Sequence, residues 1–513
     1  VKLYCNLLGN VIFFKLWEGI IMLSFRNKSF SFLSTPLVFF ILILITCLRI
    51  YSLYTSPIEL SVDEAQYWDW SRNIEFGYFT KPPIIAWVIA LSTTIFGNEE
   101  WAVRLCSPLI HLFIAASLWG ASYIAFGARA GKIAALIWIF TPAASLGSFV
   151  ISTDTPLLLF WSFCIFFMFK LFKNQSIVTA TLVGMSLGLA FLSKYAALYF
   201  LIFLILWWLV YDRSKNLSIK NLFIIIITSI LTASGNIYWN YINDFVTVSH
   251  TVSNADLSEI TLNYKNVVDF LSSQLVVFGP ILLLLYIFLS FDVFFKKGNI
   301  SFLAFLSLPI IILITVQSFL KISNPNWAIT AYVAATIILS AYVVVQKYVF
   351  IRTFFKIGFL VNFVLSIFIL KVTLTGNFYP LELKSDPLRK TLGFEKISKK
   401  IESNFQTYEI SSIVFETRGD VSRFNYYLNR TNNLFKNKIY LKSNSLKPGN
   451  FYEANYNYHN KQFSSGEKVL IVSNKSNVTN YPNLLDMKLI DKVSVNTIKD
   501  IYRTYYLFTG IYK

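Results

Sequence analysis

Apolar runs of near-uniform length recur along the first three quarters of this chain, separated by short polar stretches, and then stop. Eleven runs stand out, at residues 35–54, 106–126, 132–150, 155–172, 178–193, 196–211, 220–240, 275–292, 301–320, 327–346 and 352–374. Each is close to the roughly 20 apolar residues that a helix needs to cross a bilayer. Two polar interruptions are longer, at 55–105 and 241–274. The first contains Ile84 to Phe96, an apolar stretch too short to span, with Pro82-Pro83 before it and Gly97 after it. That punctuation predicts a helix lying in the membrane interface. Beyond residue 376 the pattern changes to Asn- and Lys-rich sequence with short β-like runs at Ile413-Val414-Phe415 and Val469-Leu470-Ile471-Val472. A small α/β domain is expected there.

Composition agrees. Of 513 residues, 55% are hydrophobic and only 14% charged, against about 25% charged in a typical soluble domain. The expected fold is a polytopic α-helical membrane protein with about 11–13 transmembrane helices and a C-terminal α/β domain. Residues 1–34 form an N-terminal segment, 35–375 the membrane domain and 376–513 the C-terminal domain. The chain begins with Val1, so translation from Met22 and a short interfacial helix upstream of it are both open readings.

The net charge of +18 raises the question of nucleic acid. Its distribution argues against that partner. One group of basic residues lines alternate short loops: Arg26/Lys28, Arg129/Lys132, Lys170/Lys173, Arg213/Lys215/Lys220, Lys296/Lys297 and Lys347/Arg352/Lys356. A single basic side is the signature of the cytoplasmic face. The other group lies after Gly376, with 21 Lys+Arg against 12 Asp+Glu. The four cysteines, Cys5, Cys47, Cys106 and Cys164, have no metal-binding spacing. No internal repeat is evident, which weakens a transporter or flippase reading.

With the basic side inside, the distinctive polar residues gather outside. Asp63-Glu64 is the first group, followed by Tyr67, Trp68 and Trp70. Paired carboxylates at a membrane surface are costly unless they are used. They read either as a general base with a substrate contact or as solvated loop acids. Lys81, fixed by Pro82-Pro83, suits a phosphate as a compact cation or could snorkel to lipid headgroups. Arg104 has the same two readings. Ser152-Thr153-Asp154-Thr155-Pro156 is a helix start, and Asp154 could also face the site. Lys194 interrupts two apolar runs. His250, Lys321 and Asn326 complete the outer polar set, while His111 looks like an ordinary buried histidine. Carboxylates ringed by Lys81, Arg104, Lys194 and Lys321 fit a phosphate-linked substrate, with the cations stabilising the leaving phosphate and an acid taking the acceptor's proton.

In order, Asp63-Glu64-Ala65-Gln66-Tyr67-Trp68, Gly77-Tyr78-Phe79-Thr80-Lys81-Pro82-Pro83, Phe96-Gly97 and Val103-Arg104-Leu105 resemble the first outer loop of bacterial GT-C glycosyltransferases. More narrowly they resemble glycosyltransferase family 39 and the lipid A aminoarabinose transferases. Thr153-Asp154-Thr155-Pro156-Leu157, Leu192-Ser193-Lys194-Tyr195, Trp239-Asn240, Asp244-Phe245, His250, Asn326-Trp327-Ala328 and Asp386-Pro387-Leu388-Arg389 extend the likeness over about 330 residues. The resemblance implies a polyprenyl phosphate sugar donor, a glycolipid acceptor of the lipid A or lipopolysaccharide type, and work at the periplasmic face of the bacterial inner membrane. It implies Asp63 as the catalytic carboxylate. Lys81 would meet the donor phosphate, and Glu64, Tyr67, Arg104, Asp154, Lys194, His250, Lys321 and Asn326 would line donor or acceptor.

Two positions depart from that pattern. Thr80 stands where aminoarabinose transferases tend to have an acid, so no metal site is assigned and a divalent cofactor stays open. Gln66 replaces a basic residue of that subgroup, which leaves the donor sugar open. Protein O-mannosyl transfer and polyprenyl-lipid flipping are the competing readings.

Overall fold

A computed structural model describes residues 34–513, apart from 213–214, 255–262, 295, 297, 346–347, 379–386, 432, 444–447, 462, 479–480, 482 and 499–500. The possible start at Met22 and the motif residue Asp386 lie outside the described residues.

The first helix, α1 (Thr35–Thr55), starts where Ser34 Oγ accepts the Leu37 N–H and a proline occupies the first turn. Then follow α2 (Val62–Trp70), α3 (Ile84–Phe96), α4 (Glu100–Arg104), α5 (Cys106–Phe126), α6 (Ala128–Ile139), α7 (Pro142–Gly147), α8 (Asp154–Asn174), α9 (Ile177–Ser193) and α10 (Leu198–Trp207). The membrane domain continues through α11 (Ile219–Ile242), α12 (Val246–Asn254), α13 (Tyr264–Phe278), α14 (Pro280–Phe294), α15 (Asn299–Phe305), α16 (Leu308–Leu320), α17 (Ala331–Val345) and α18 (Val349–Thr375). Among the described residues, seven helical stretches are long and apolar enough to cross a membrane. An eighth arises if α13 and the start of α14, bent by 107°, count as one. The bend falls at Gly279, whose φ of 98° is open to glycine, followed by Pro280.

All eleven expected runs fall on helix, but not all as single spans. The run 132–150 breaks after Ile139. Thr141 Oγ1 caps a new helix by accepting the Ala144 N–H, and Pro142 cannot continue the old one. Ile177–Ser193 and Ala331–Val345 are shorter helices of 17 and 15 residues. Within α9, Gly184 and Gly188 sit four apart, and a Cβ on either would lie 2.6–2.7 Å from a carbonyl of α11. Small residues at this spacing let two membrane helices approach backbone to backbone. A short helix forms over Ile84–Phe96, where one was expected, and ends at Gly97 with φ 83°.

The C-terminal part adds α19 (Phe394–Thr407), α20 (Arg418–Asn429), α21 (Phe451–Asn455) and five strands. These are β1 (Ser412–Phe415), β2 (Ile439–Leu441), β3 (Lys468–Ser473), β4 (Leu484–Ile498) and β5 (Ile501–Tyr512). The sheet order is β2-β1-β3-β5-β4, with β1 parallel to β2 and β3, and β5 antiparallel to β3 and β4. Its core does not close on itself. Phe394, Ile397, Phe415, Phe424 and Tyr505 share one buried cluster with Leu60, Ala65, Trp68, Ile85 and Ile89 of the 55–105 segment. Backbone contacts reinforce the join: Ser422 Oγ donates to Val62 O (2.6 Å), and the Phe394 N–H donates to the Glu59 carboxylate (2.7 Å). The domain is therefore fixed over α2 and α3 by apolar burial, the dominant cohesive term in such a contact.

Candidate active site

α2 positions the two adjacent acids differently. Ser61 caps it: Ser61 Oγ accepts the Glu64 N–H, and Glu64 Oε2 accepts the Ser61 N–H at 3.0 Å. This reciprocal cap turns Glu64 inward and leaves Asp63 on the exposed side of the same turn. Glu64 then meets Arg104 of α4 in a bidentate pair, Nε to Oε1 at 2.7 Å and Nη2 to Oε2 at 2.9 Å. The side chains are 1% and 2% exposed. Oε1 also accepts the Ile151 N–H, and Arg104 donates to the carbonyls of Ile58 and Glu59. Burial would push the Glu64 carboxyl up, but the Arg104 charge and hydrogen bonds outweigh it and hold the group below its ordinary range. Expected as substrate contacts, Glu64 and Arg104 are instead turned onto each other. Their hydrogen bonds tie the 58–61 turn, α4 and the segment at Ile151 together.

Asp154, at the first position of α8, is mostly buried. Lys194, just past the end of α9, donates to its Oδ1 at 2.7 Å, and Asn326 Nδ2 donates to its Oδ2 at 2.5 Å. Three expected residues, from loops some 40 and 170 residues apart in sequence, thus meet at one point.

Lys81 lies near Asp63, Asp154, Lys194 and Arg418. The Tyr78 N–H donates to Lys81 O (3.1 Å), closing the turn that precedes Pro82. Gly77 is needed below it, because a Cβ there would overlap the Trp239 ring. Among the described residues the Lys81 ammonium makes no hydrogen bond or ion pair. Burial and the like charges of Lys194 and Arg418 lower its pKa, against the opposing pull of Asp63 and Asp154. A half-buried ammonium with no hydrogen-bond partner among the described residues, near two other cations, has the donors and charge to receive an anion. His250 on α12 faces the same space. Its ring meets Phe79 edge-on at 6.2 Å, and burial, Lys81 and Arg418 lower its pKa. Neutral imidazole is therefore its form at neutral pH. Tyr67 is buried against Trp70, with its hydroxyl pKa raised by burial and by Asp63 and Asp154. Lys321 is not brought into the group; its ammonium donates to Ser253 O at 3.2 Å and ties the loop after α16 to α12.

One member of the site comes from the C-terminal domain. Arg418 Nη2 donates to Asp63 Oδ1 at 2.7 Å, and its Nε and Nη2 donate to Gln66 Oε1. Sequence reading passed over it. The available signal is local: an arginine in the first turn of a helix capped by Thr417 opposes the helix dipole. Among the described residues no three His, Cys, Asp or Glu side chains gather as a metal would require.

The profile of a family described as dolichyl-phosphate-mannose-protein mannosyltransferase matches residues 80–239. Lys81, Arg104, Asp154 and Lys194 fall within that match. The chain is 29% identical over 418 residues to the lipid A galacturonosyltransferase RgtD of Rhizobium johnstonii, covering 80% of this chain and 86% of that protein. Among solved structures it superposes on ArnT from Cupriavidus metallidurans bound to undecaprenyl phosphate, with TM-score 0.66 and 14% identity, over 93% of this chain and 98% of that one. The apo state of the same ArnT gives TM-score 0.64 at 12% identity over the same shares. The fold is thus that of the GT-C glycosyltransferases, and the likeness read from the outer-loop motifs is borne out.

Proposed function

We propose that this chain is an integral membrane glycosyltransferase that moves a sugar from a polyprenyl phosphate donor to a lipid A-like envelope acceptor, with inversion at the sugar carbon. One observation carries the reading: exposed Asp63 lies beside half-buried Lys81, whose ammonium makes no hydrogen bond or ion pair among the described residues, in a cation-rich group with Lys194 and with Arg418 of the C-terminal domain. Asp63 takes the proton from the acceptor hydroxyl. Lys81 holds the donor phosphate and stabilises it as it leaves. Asp154, Lys194 and Asn326 form a rigid polar wall beside them, and Glu64–Arg104 fixes the turn that carries Asp63.

Inversion follows from the carboxylate inventory. Direct displacement needs one base, whereas retention by double displacement needs a second carboxylate as nucleophile. Glu64 is buried against Arg104, and Asp154 is held on both oxygens. The relative named for lipid A supports the glycolipid acceptor. Undecaprenyl phosphate bound to an ArnT of the same fold supports a polyprenyl carrier. The basic loops support a periplasmic location for the site and C-terminal domain at the bacterial inner membrane. Protein O-mannosyl transfer is the second reading, favoured by the family profile.

Mass spectrometry of envelope lipids and glycoproteins, with and without this gene, tests the proposal. A sugar-sized mass difference on lipid A is the expected result. A difference confined to glycoproteins would replace the acceptor with protein, and no difference in either would remove the proposal.

A further inference from the structure

Arg418 is held on one edge and open on the other. Its Nε and Nη2 are committed to Gln66 Oε1 and Asp63 Oδ1, while Nη1 makes no hydrogen bond among the described residues. The side chain is 40% exposed. Gln66 is chosen to receive it: turning the amide over would set its donor against the guanidinium, and in the observed orientation Gln66 Nε2 is buried without a partner. A buried amide donor left without a partner is unfavourable, and an arginine in a first helical turn opposes the dipole. Neither helix formation nor core packing accounts for this arrangement.

The charges of the proposed reaction supply an account. Before transfer, Asp63 balances Arg418, Asp154 balances Lys194, and Lys81 balances the single charge of a sugar phosphodiester. During transfer the acceptor O–H bond breaks and its proton goes to Asp63. The acceptor oxygen bonds to the sugar carbon, and the bond from that carbon to the phosphate oxygen breaks, its electron pair staying on the phosphate. Asp63 is now neutral and the phosphate carries two charges. We propose that Arg418 is a catalytic residue contributed by the C-terminal domain: it guards the Asp63 carboxylate at rest and moves onto the leaving phosphate as Asp63 is protonated. This rests on the glycosyltransferase reading above. A guanidinium suits the task because its planar fork grips carboxylate and phosphate oxygens in the same way.

The test uses the full chain in detergent micelles and a short-chain polyprenyl monophosphate as probe. Asp63→Asn mimics the protonated acid and frees Arg418, so it binds the monophosphate about tenfold more tightly than wild type. The gain disappears in Asp63→Asn/Arg418→Gln, the cycle that isolates the coupling. Arg418→Lys keeps part of it. In turnover, Arg418→Gln lowers kcat by roughly 10²-fold, the scale of one lost oxyanion donor, with donor KM nearly unchanged. No tightening in Asp63→Asn, or tightening that survives Arg418→Gln, overturns the proposal. So does a raised KM with intact kcat. Failure of the glycosyltransferase reading looks different: wild type then transfers no sugar, while the binding cycle still reports whether Arg418 follows the charge.

Discussion

Glu64→Gln removes one negative charge and keeps nearly every atom of the side chain in place. The structure makes the consequence large. Glu64 and Arg104 are 1% and 2% exposed and joined by two charge-assisted hydrogen bonds of 2.7 and 2.9 Å. A glutamine oxygen can keep one contact with Arg104 together with that to either Ile151 or Ser61, and the two bonds on the other side are lost. Its amide donor must then face another donor, and the guanidinium remains buried without a counter-charge. Breaking a buried pair from one side costs about 3–5 kcal/mol. For a chain of this size that is a fall in thermal midpoint on the order of 5 °C, read by tryptophan fluorescence of the purified protein in detergent. The sign with pH follows from the depressed carboxyl. Its contribution is present above the ordinary value of 4.5 and is lost as pH falls through the lower folded value. Wild type and variant should therefore converge only in acid. The exposed Asp63–Arg418 pair supplies the control, because surface pairs contribute about 0–1 kcal/mol. A Glu64→Gln midpoint within a degree of wild type at pH 7 would refute the claim that this pair holds the site together.

Lys81→Met should leave the thermal midpoint unchanged or slightly raised, because the ammonium makes no hydrogen bond among the described residues and lies near Lys194 and Arg418. The same variant should abolish measurable sugar transfer, and retained transfer would remove Lys81 from the phosphate site. Glu59 caps α19 through the Phe394 and Glu395 N–H groups, yet burial pushes its carboxyl up to about 7. The folded state thus holds that proton more tightly than the unfolded chain, so stability from this group falls as pH rises from 4.5 to about 7. Protease resistance of the C-terminal domain should be greater at pH 5 than at pH 8 in wild type, and the difference should shrink in Glu59→Gln.

The bundle, the short helix α3 and two strands were legible because each rests on local pattern. Apolar length marks the spans, Pro82-Pro83 and Gly97 bracket α3, and β-branched runs mark β1 and β3. The meeting of Asp154, Lys194 and Asn326 was legible only as membership of one side of the membrane, since their contacts join separate loops. The inward turn of Glu64 had a local signal: Ser61 and Glu64 stand at the spacing of a capping box, and that pattern directs the glutamate inward. Arg418 lies 355 residues from Asp63. No periodicity carries such a pairing; it depends on the shared core that seats α20 on α2.

The most direct measurement is sugar transfer in proteoliposomes, from labelled polyprenyl phosphate sugars to lipid A, with wild type beside Asp63→Asn. The account predicts transfer by wild type. It predicts none by the variant, whose thermal midpoint should match wild type because the Asp63–Arg418 pair is largely exposed. Transfer by Asp63→Asn at a rate near wild type would contradict the assignment of Asp63 as the base.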